Sequence, residues 1–308
     1  MKENPQFIGR KYDNKEKEQL KEVLSTWSDK SKELINGELE KTQEEIESIN
    51  IVNSMISDEL NLLGIKNFET IPLEKIHFLL GEIFKKEFPN FKGMAFFRST
   101  SDVIYINKDK VTNKAKLFST LTHELIHRAS TTKFYSEEKS GNLYTSRTGY
   151  RIQSPWKNNS IKHKLLGFNE MMTDSTVYKI LHKNKNKLEK IGVMEKDING
   201  PIYSYMNYAI TLNGIINGVS KYKNISKIEA FENLEKGQFQ NSILVLKDIE
   251  KAFGKGSLEI LSYLGGLDNK EDGEKIDKLI EKFFNETEES LREKIGQEIL
   301  EFVKNKTN

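Results

Sequence analysis

His123-Glu124-Leu125-Ile126-His127 sets two imidazoles four residues apart, with a carboxylate directly after the first. On a helix that spacing stacks both rings on one face, so two nitrogens meet one metal ion at about 2.0–2.1 Å. Glu124 then stands where it can take a proton from a water that the ion activates. With 5 His in a Glu-rich chain, random placement gives this string roughly once in a hundred sequences. The plain alternative is two polar residues on a helix face. A hydrolytic zinc site also needs a third protein ligand and an open fourth position. The chain has no cysteine, so that ligand must be His, Asp or Glu. Residues 167–174 supply a candidate, because Glu170 and Asp174 are again four apart. One carboxylate can bind the metal while the other accepts the N–H of a ligand imidazole. By itself, Asn169-Glu170-x-x-Thr173-Asp174 reads as an ordinary helix start, with Asn169 capping and acids in the first turn.

Taken together, His-Glu-x-x-His at 123–127 and Asn-Glu-x-x-Thr-Asp at 169–174 resemble the gluzincin group of zinc metallopeptidases, of which the thermolysin family is one branch. The resemblance implies His123, His127 and Glu170 as ligands of one Zn²⁺ per chain. It implies Glu124 as general base and proton shuttle, Asp174 as partner of a ligand histidine, and Asn169 as a hydrogen-bonding support. Peptide or protein substrates follow, with an endopeptidase favoured over an exopeptidase. It also implies a zincin-like core, in which the strand-like segment 102–107 would be an edge strand that pairs with bound peptide. The match covers only about residues 100–182. The step of 43 residues from His127 to Glu170 exceeds that in thermolysin, which makes 131–166 an insertion or a substrate-facing element.

Peptide hydrolysis needs a donor to the developing oxyanion besides the metal. No downstream histidine motif offers one, and His163 and His182 read as surface histidines. Tyr150 is the first choice, with Arg151 and the cluster Tyr203, Tyr205 and Tyr208 as alternatives. Arg128 reads as a salt-bridge residue, and Trp156 and Phe168 as packing groups. A reading from another class remains beside the enzyme: a zinc-binding regulatory or interaction protein without hydrolysis, its long helices being the working surfaces.

The elements that must position these residues are mostly helical. Residues 14–63 carry apolar residues at helical spacing among many Glu and Lys, with Gly37 a break and Gly64 a left-handed end. Thr70-Ile71-Pro72-Leu73 opens a helix expected to run to Phe88. The segment 102–107 is rich in β-branched and aromatic residues, as a strand requires. Helices are expected at 113–129, 168–182, 203–220, 227–253 and 274–304, and a hairpin at 144–152 around Gly149. The fold class is therefore α+β and predominantly α: a small, mostly antiparallel sheet on the active-site helix, with added N- and C-terminal helices. The regions are 1–69, a core at 70–182, and 183–308, expected to form one compact unit.

Composition excludes more than it selects. In 308 residues, 48 Lys+Arg nearly balance 46 Asp+Glu, which argues against a nucleic-acid partner. No run of about eighteen apolar residues occurs, so no membrane partner is expected. The charged N-terminal stretch has no apolar signal core, which makes the cytoplasm the default compartment and a secreted mature chain the alternative.

Overall fold

A computed structural model describes residues 6–8, 37–66, 68–99, 101–130, 132–136, 143–155, 161–198, 208–265 and 269–307. The fold is α+β and mostly helical, with small sheets. It divides into two compact units, 1–129 with 176–202 and 130–175 with 203–308.

The first unit holds β1 (Gln6–Ile8), β2 (Glu38–Leu39), α1 (Gln43–Leu62), β3 (Ile76–Leu79), α2 (Gly81–Glu87), β4 (Ala95–Arg98), β5 (Val103–Asn107) and α3 (Lys114–Ala129). It is completed by the end of α4 (Leu166–Lys183), then α5 (Lys185–Glu189) and α6 (Glu195–Ile198). A capping box starts α1: Thr42 Oγ1 accepts the Glu45 N–H, and the Glu45 carboxylate accepts the Thr42 N–H. Gly64 follows the helix end at φ +71, as expected. Gly37, at φ +111, precedes β2, so the part of the expected N-terminal helix that is described begins only at Gln43. The portion before Gly37 lies outside the described residues.

The helix expected to open at Thr70-Ile71-Pro72-Leu73 and run to Phe88 is corrected. A short 3-10 turn, Leu73–Lys75, leads into strand β3, and only α2 is helical. All four β3 positions are buried, a burden that a strand covered on both faces can carry and a helix with one apolar stripe cannot. The sheet order is β2-β3-β5-β4, with β3 and β5 parallel and the outer pairs antiparallel. The strand expected at 102–107 is present as β5. It lies inside the sheet, however, so its backbone is paired on both sides, and β4 is an edge in its place. Helix α3 packs on β4 and on α1, burying Leu117, Phe118, Leu121 and Leu125. Each such side chain contributes about 1.5–3 kcal/mol.

One buried carboxylate with two lysine partners steadies α1 in this unit. Glu59 is 3% exposed and receives Lys179 Nζ at 2.7 Å and Lys183 Nζ at 2.9 Å. Burial raises its carboxyl pKa, but the two ammonium groups outweigh this and hold it below the usual 4.5. A carboxyl depressed on folding adds stability that is complete above the unfolded value and is lost as pH falls through the folded one. Glu59→Gln should therefore cost about 1–3 kcal/mol at pH 7 and converge with wild type in acid below the usual carboxylate range. Urea unfolding at the two pH values checks this; an equal loss at both would refute the ion-pair account.

The second unit contains an antiparallel meander of β6 (Thr132–Ser136), β7 (Leu143–Thr148), β8 (Arg151–Pro155) and β9 (Ile161–Lys164). The polar stretch read as a single hairpin thus holds four strands. The hairpin around Gly149 is there: Thr148 pairs with Arg151, leaving Gly149 and Tyr150 as the turn. Gly149 has φ +56, which a two-residue turn asks of its first residue. Beyond the first part of α4, helices α7 (Ala209–Lys223), α8 (Lys227–Gln240), α9 (Leu244–Phe253), α10 (Ser257–Ser262), α11 (Lys270–Asn285) and α12 (Glu289–Thr307) enclose an apolar core. The expected helix 227–253 is divided by Asn241, whose left-handed φ of +51 ends α8. The expected 274–304 helix is broken at extended Glu286. Among the described residues, no helix is long and apolar enough to cross a membrane.

Candidate metal centre

Helix α3 begins where Asn113 Oδ1 accepts the Lys116 N–H at 2.8 Å, a cap that satisfies one first-turn donor. With its apolar stripe fixed against β4 and α1, the periodicity turns His123 and His127 to a half-buried face and leaves Glu124 at 6% exposure. The far end of the helix is held by Arg128. Its Nε and Nη2 reach Asp102 at 2.8 and 3.2 Å, and Nη1 donates to the Glu69 carbonyl at 2.6 Å. Lys75 also reaches Asp102. Asp102 is 37% exposed at its side chain, so the pair is worth at most about 1 kcal/mol; its consequence is registry of the histidine-bearing turn.

The two imidazoles face each other through Nε2, 3.0 Å apart, with ring centroids at 4.7 Å and planes at 76°. Two bare lone pairs at that distance would repel, and two N–H groups would clash, so the nitrogens must share a proton or a cation. Nitrogens bound tetrahedrally to one zinc at about 2.0–2.1 Å lie roughly 3.3 Å apart, close to this separation. Glu170, buried on α4, completes the set: one ligand atom from each of His123, His127 and Glu170 lies within 4.8 Å of the others. These three can hold a metal ion. Two imidazoles and a carboxylate suit a borderline cation such as zinc, iron, nickel or copper.

Asp174 is 3% exposed and one turn beyond Glu170, so both carboxylates share a face of α4. Asn169 does not cap this helix, which starts at Leu166; its Oδ1 instead accepts the Tyr150 N–H at 2.8 Å. Gly149 must be glycine at this contact, because a Cβ there would stand 2.6 Å from Asn169 Oδ1. A second close approach fixes the start of α4, where a Cβ on Gly167 would meet the Leu264 carbonyl oxygen at 2.2 Å.

The expectation for Tyr150 is corrected. Its ring is fully buried among Phe168 and the helical core, and its hydroxyl donates to the Leu234 carbonyl at 2.6 Å. Burial drives its pKa far above the ordinary phenol value, with Arg147 pulling weakly the other way. The phenol's one proton is spent on a helix carbonyl, so it is a packing group and not an oxyanion donor. Arg151 Nε donates to His163 Nδ1 at 3.3 Å across the meander. Burial first, then the Arg151 charge, lowers the His163 pKa, which keeps that nitrogen an acceptor at neutral pH. Tyr208 donates to Asp277 at 2.9 Å, and the His182 ring lies against Tyr178, tilted by 44° with centroids 4.2 Å apart. Phe168 is core, as expected. Trp156, Tyr203 and Tyr205 lie outside the described residues.

Sequence reasoning missed Asp102 and Gln238. Gln238 Nε2 donates to Thr173 Oγ1 at 2.8 Å and to the Asn169 carbonyl at 3.3 Å. A lone Gln in an amphipathic helix carries no motif, and nothing in its spacing marks it.

Compared against protein-family models, the curated proteins and the solved structures, the chain gives no match.

Proposed function

We propose that this chain is a zinc-dependent metallopeptidase of gluzincin type, with an endopeptidase action on peptide or protein substrates. The observation that carries the reading is the convergence of His123, His127 and Glu170, residues from two motifs that lie 43 positions apart in sequence, on one point. Zinc bound there would polarise a scissile carbonyl and acidify a water. The chain supplies the proton path. Glu124, nearly buried beside the first ligand, would hold the proton given up by a water as its oxygen bonds to the carbonyl carbon, and would return it to the amine as the C–N bond breaks. Asp174 holds a ligand imidazole in one tautomer. Helix α3 beneath the β2-β3-β5-β4 sheet is the zincin-like core of this reading, and β4 offers the open edge along which an extended peptide pairs.

Metal analysis of chain purified without chelator should give about one zinc per chain, and less than about half would sink the proposal. A peptide-library digest should show cleavage that a chelator stops and added Zn²⁺ restores.

A further inference from the structure

The backbone that carries Glu170 and Asp174 is gripped from a direction the motif does not reveal. Asn169 and Thr173 stand immediately before these two carboxylates, and Gln238 of α8 donates to both, to the Asn169 carbonyl and to Thr173 Oγ1. Thr173 Oγ1 itself donates back to the Asn169 carbonyl at 2.9 Å. Asn169 Oδ1 receives the Tyr150 N–H, and the Tyr150 hydroxyl donates to Leu234, one turn before Gln238 on the same helix. The path leaves α8, crosses α4 and the β7–β8 turn, and closes on α8. Gln238, Thr173, Tyr150 and Leu234 are wholly buried, and Asn169 is 1% exposed.

Stability alone gives a poor account of this arrangement. A primary amide removed from water costs more than an aliphatic chain of its size, and its hydrogen bonds little more than offset that cost. What the closed path supplies is direction. A helical carboxylate stands about 6 Å from the helix axis, so a rotation of about 10° moves it by about 1 Å. Metal–ligand distances tolerate about 0.2 Å. Packing limits such a rotation without selecting one angle, whereas the two directional N–H bonds of the Gln238 amide specify it.

We infer that Gln238 is a positioning residue for the metal centre, fixing the rotation of α4 and thereby the aim of the Glu170 carboxylate. The inference rests on the metal-site reading above.

Gln238→Met keeps length and burial but removes both donors. Thr173→Val and Thr173→Ser, respectively, remove and keep the hydroxyl that one of those donors meets. The measurement is Co²⁺ affinity by chelator competition, at a temperature where circular dichroism shows every variant folded, together with the visible spectrum of the bound Co²⁺. Gln238→Met and Thr173→Val should each bind about 10- to 100-fold more weakly with an altered spectrum, and Thr173→Ser should recover most of the loss. Variants that melt earlier yet bind Co²⁺ as wild type does, with the same spectrum, would overturn the inference. If Gln238→Met does not fold, the Thr173 pair decides by the same criterion. Wild-type chain that takes up no Co²⁺ would instead overturn the metal-site reading, a result distinct from equal binding by wild type and variants.

Discussion

Glu124→Gln is expected to keep its full complement of metal and to turn over a cleavable peptide about 10²–10⁴-fold more slowly than wild type. The substitution conserves shape at a site only 6% exposed, so the packing of α3 should survive it. It replaces the carboxylate by a neutral amide, which cannot accept the proton. Glu124 is also outside the group of three whose ligand atoms converge, so its loss should leave the ion in place. Parallel metal analysis and initial rates separate the alternatives. Metal lost together with rate would make Glu124 part of the binding site. An unchanged rate would remove it from the chemistry altogether, and an interaction protein that uses the ion as a structural staple would be indifferent to the change in every assay of its function.

Glu170→Gln should do the reverse, weakening metal binding by at least about 100-fold, since a neutral amide replaces the one anionic ligand facing two imidazoles. The fold should persist, because α4 is also held by Asn169 to Tyr150, Thr173 to Gln238, and Gly167 against Leu264. Chelator competition measures the affinity, and a thermal melt of metal-free chain measures the fold. Equal affinity in the two proteins would show that the carboxylate is no ligand.

The His-Glu-x-x-His helix was legible because its signal is local. Ligand spacing, helical period and the apolar stripe all sit within one window of sequence, and α3 runs over Lys114–Ala129 much as the period predicts. Glu170 was legible for the same reason, through the four-residue step to Asp174. The 3-10 turn and strand at 73–79 were hidden because Ile76-His77-Phe78-Leu79 has the apolar content of either element. Its pairing partner, β5, lies well downstream, so only tertiary context decides. Asn169 misled in a similar way. Its residue type suits a cap, but the helix extends three residues further back, and the amide is used on the Tyr150 backbone. Tyr150 looked like a donor to substrate because a phenol beside Gly149 on a polar stretch suggests a loop tip. The acceptor that claims it, Leu234, is 84 positions away, and no pattern in the sequence connects them. Gln238 was invisible on the same ground: it acts through positions 65 and 69 residues upstream.

Both compact units are assembled from separated stretches of chain, with 176–202 completing the first and 203–308 completing the second. During synthesis the first 129 residues must therefore wait, incomplete, until residue 202 has been made, a delay of several seconds at about 5–20 residues per second. Neither unit can be released by one proteolytic cut or expressed as a continuous fragment. A truncation after residue 129 leaves the first unit without 176–202, and one after residue 175 leaves both units without their second stretches.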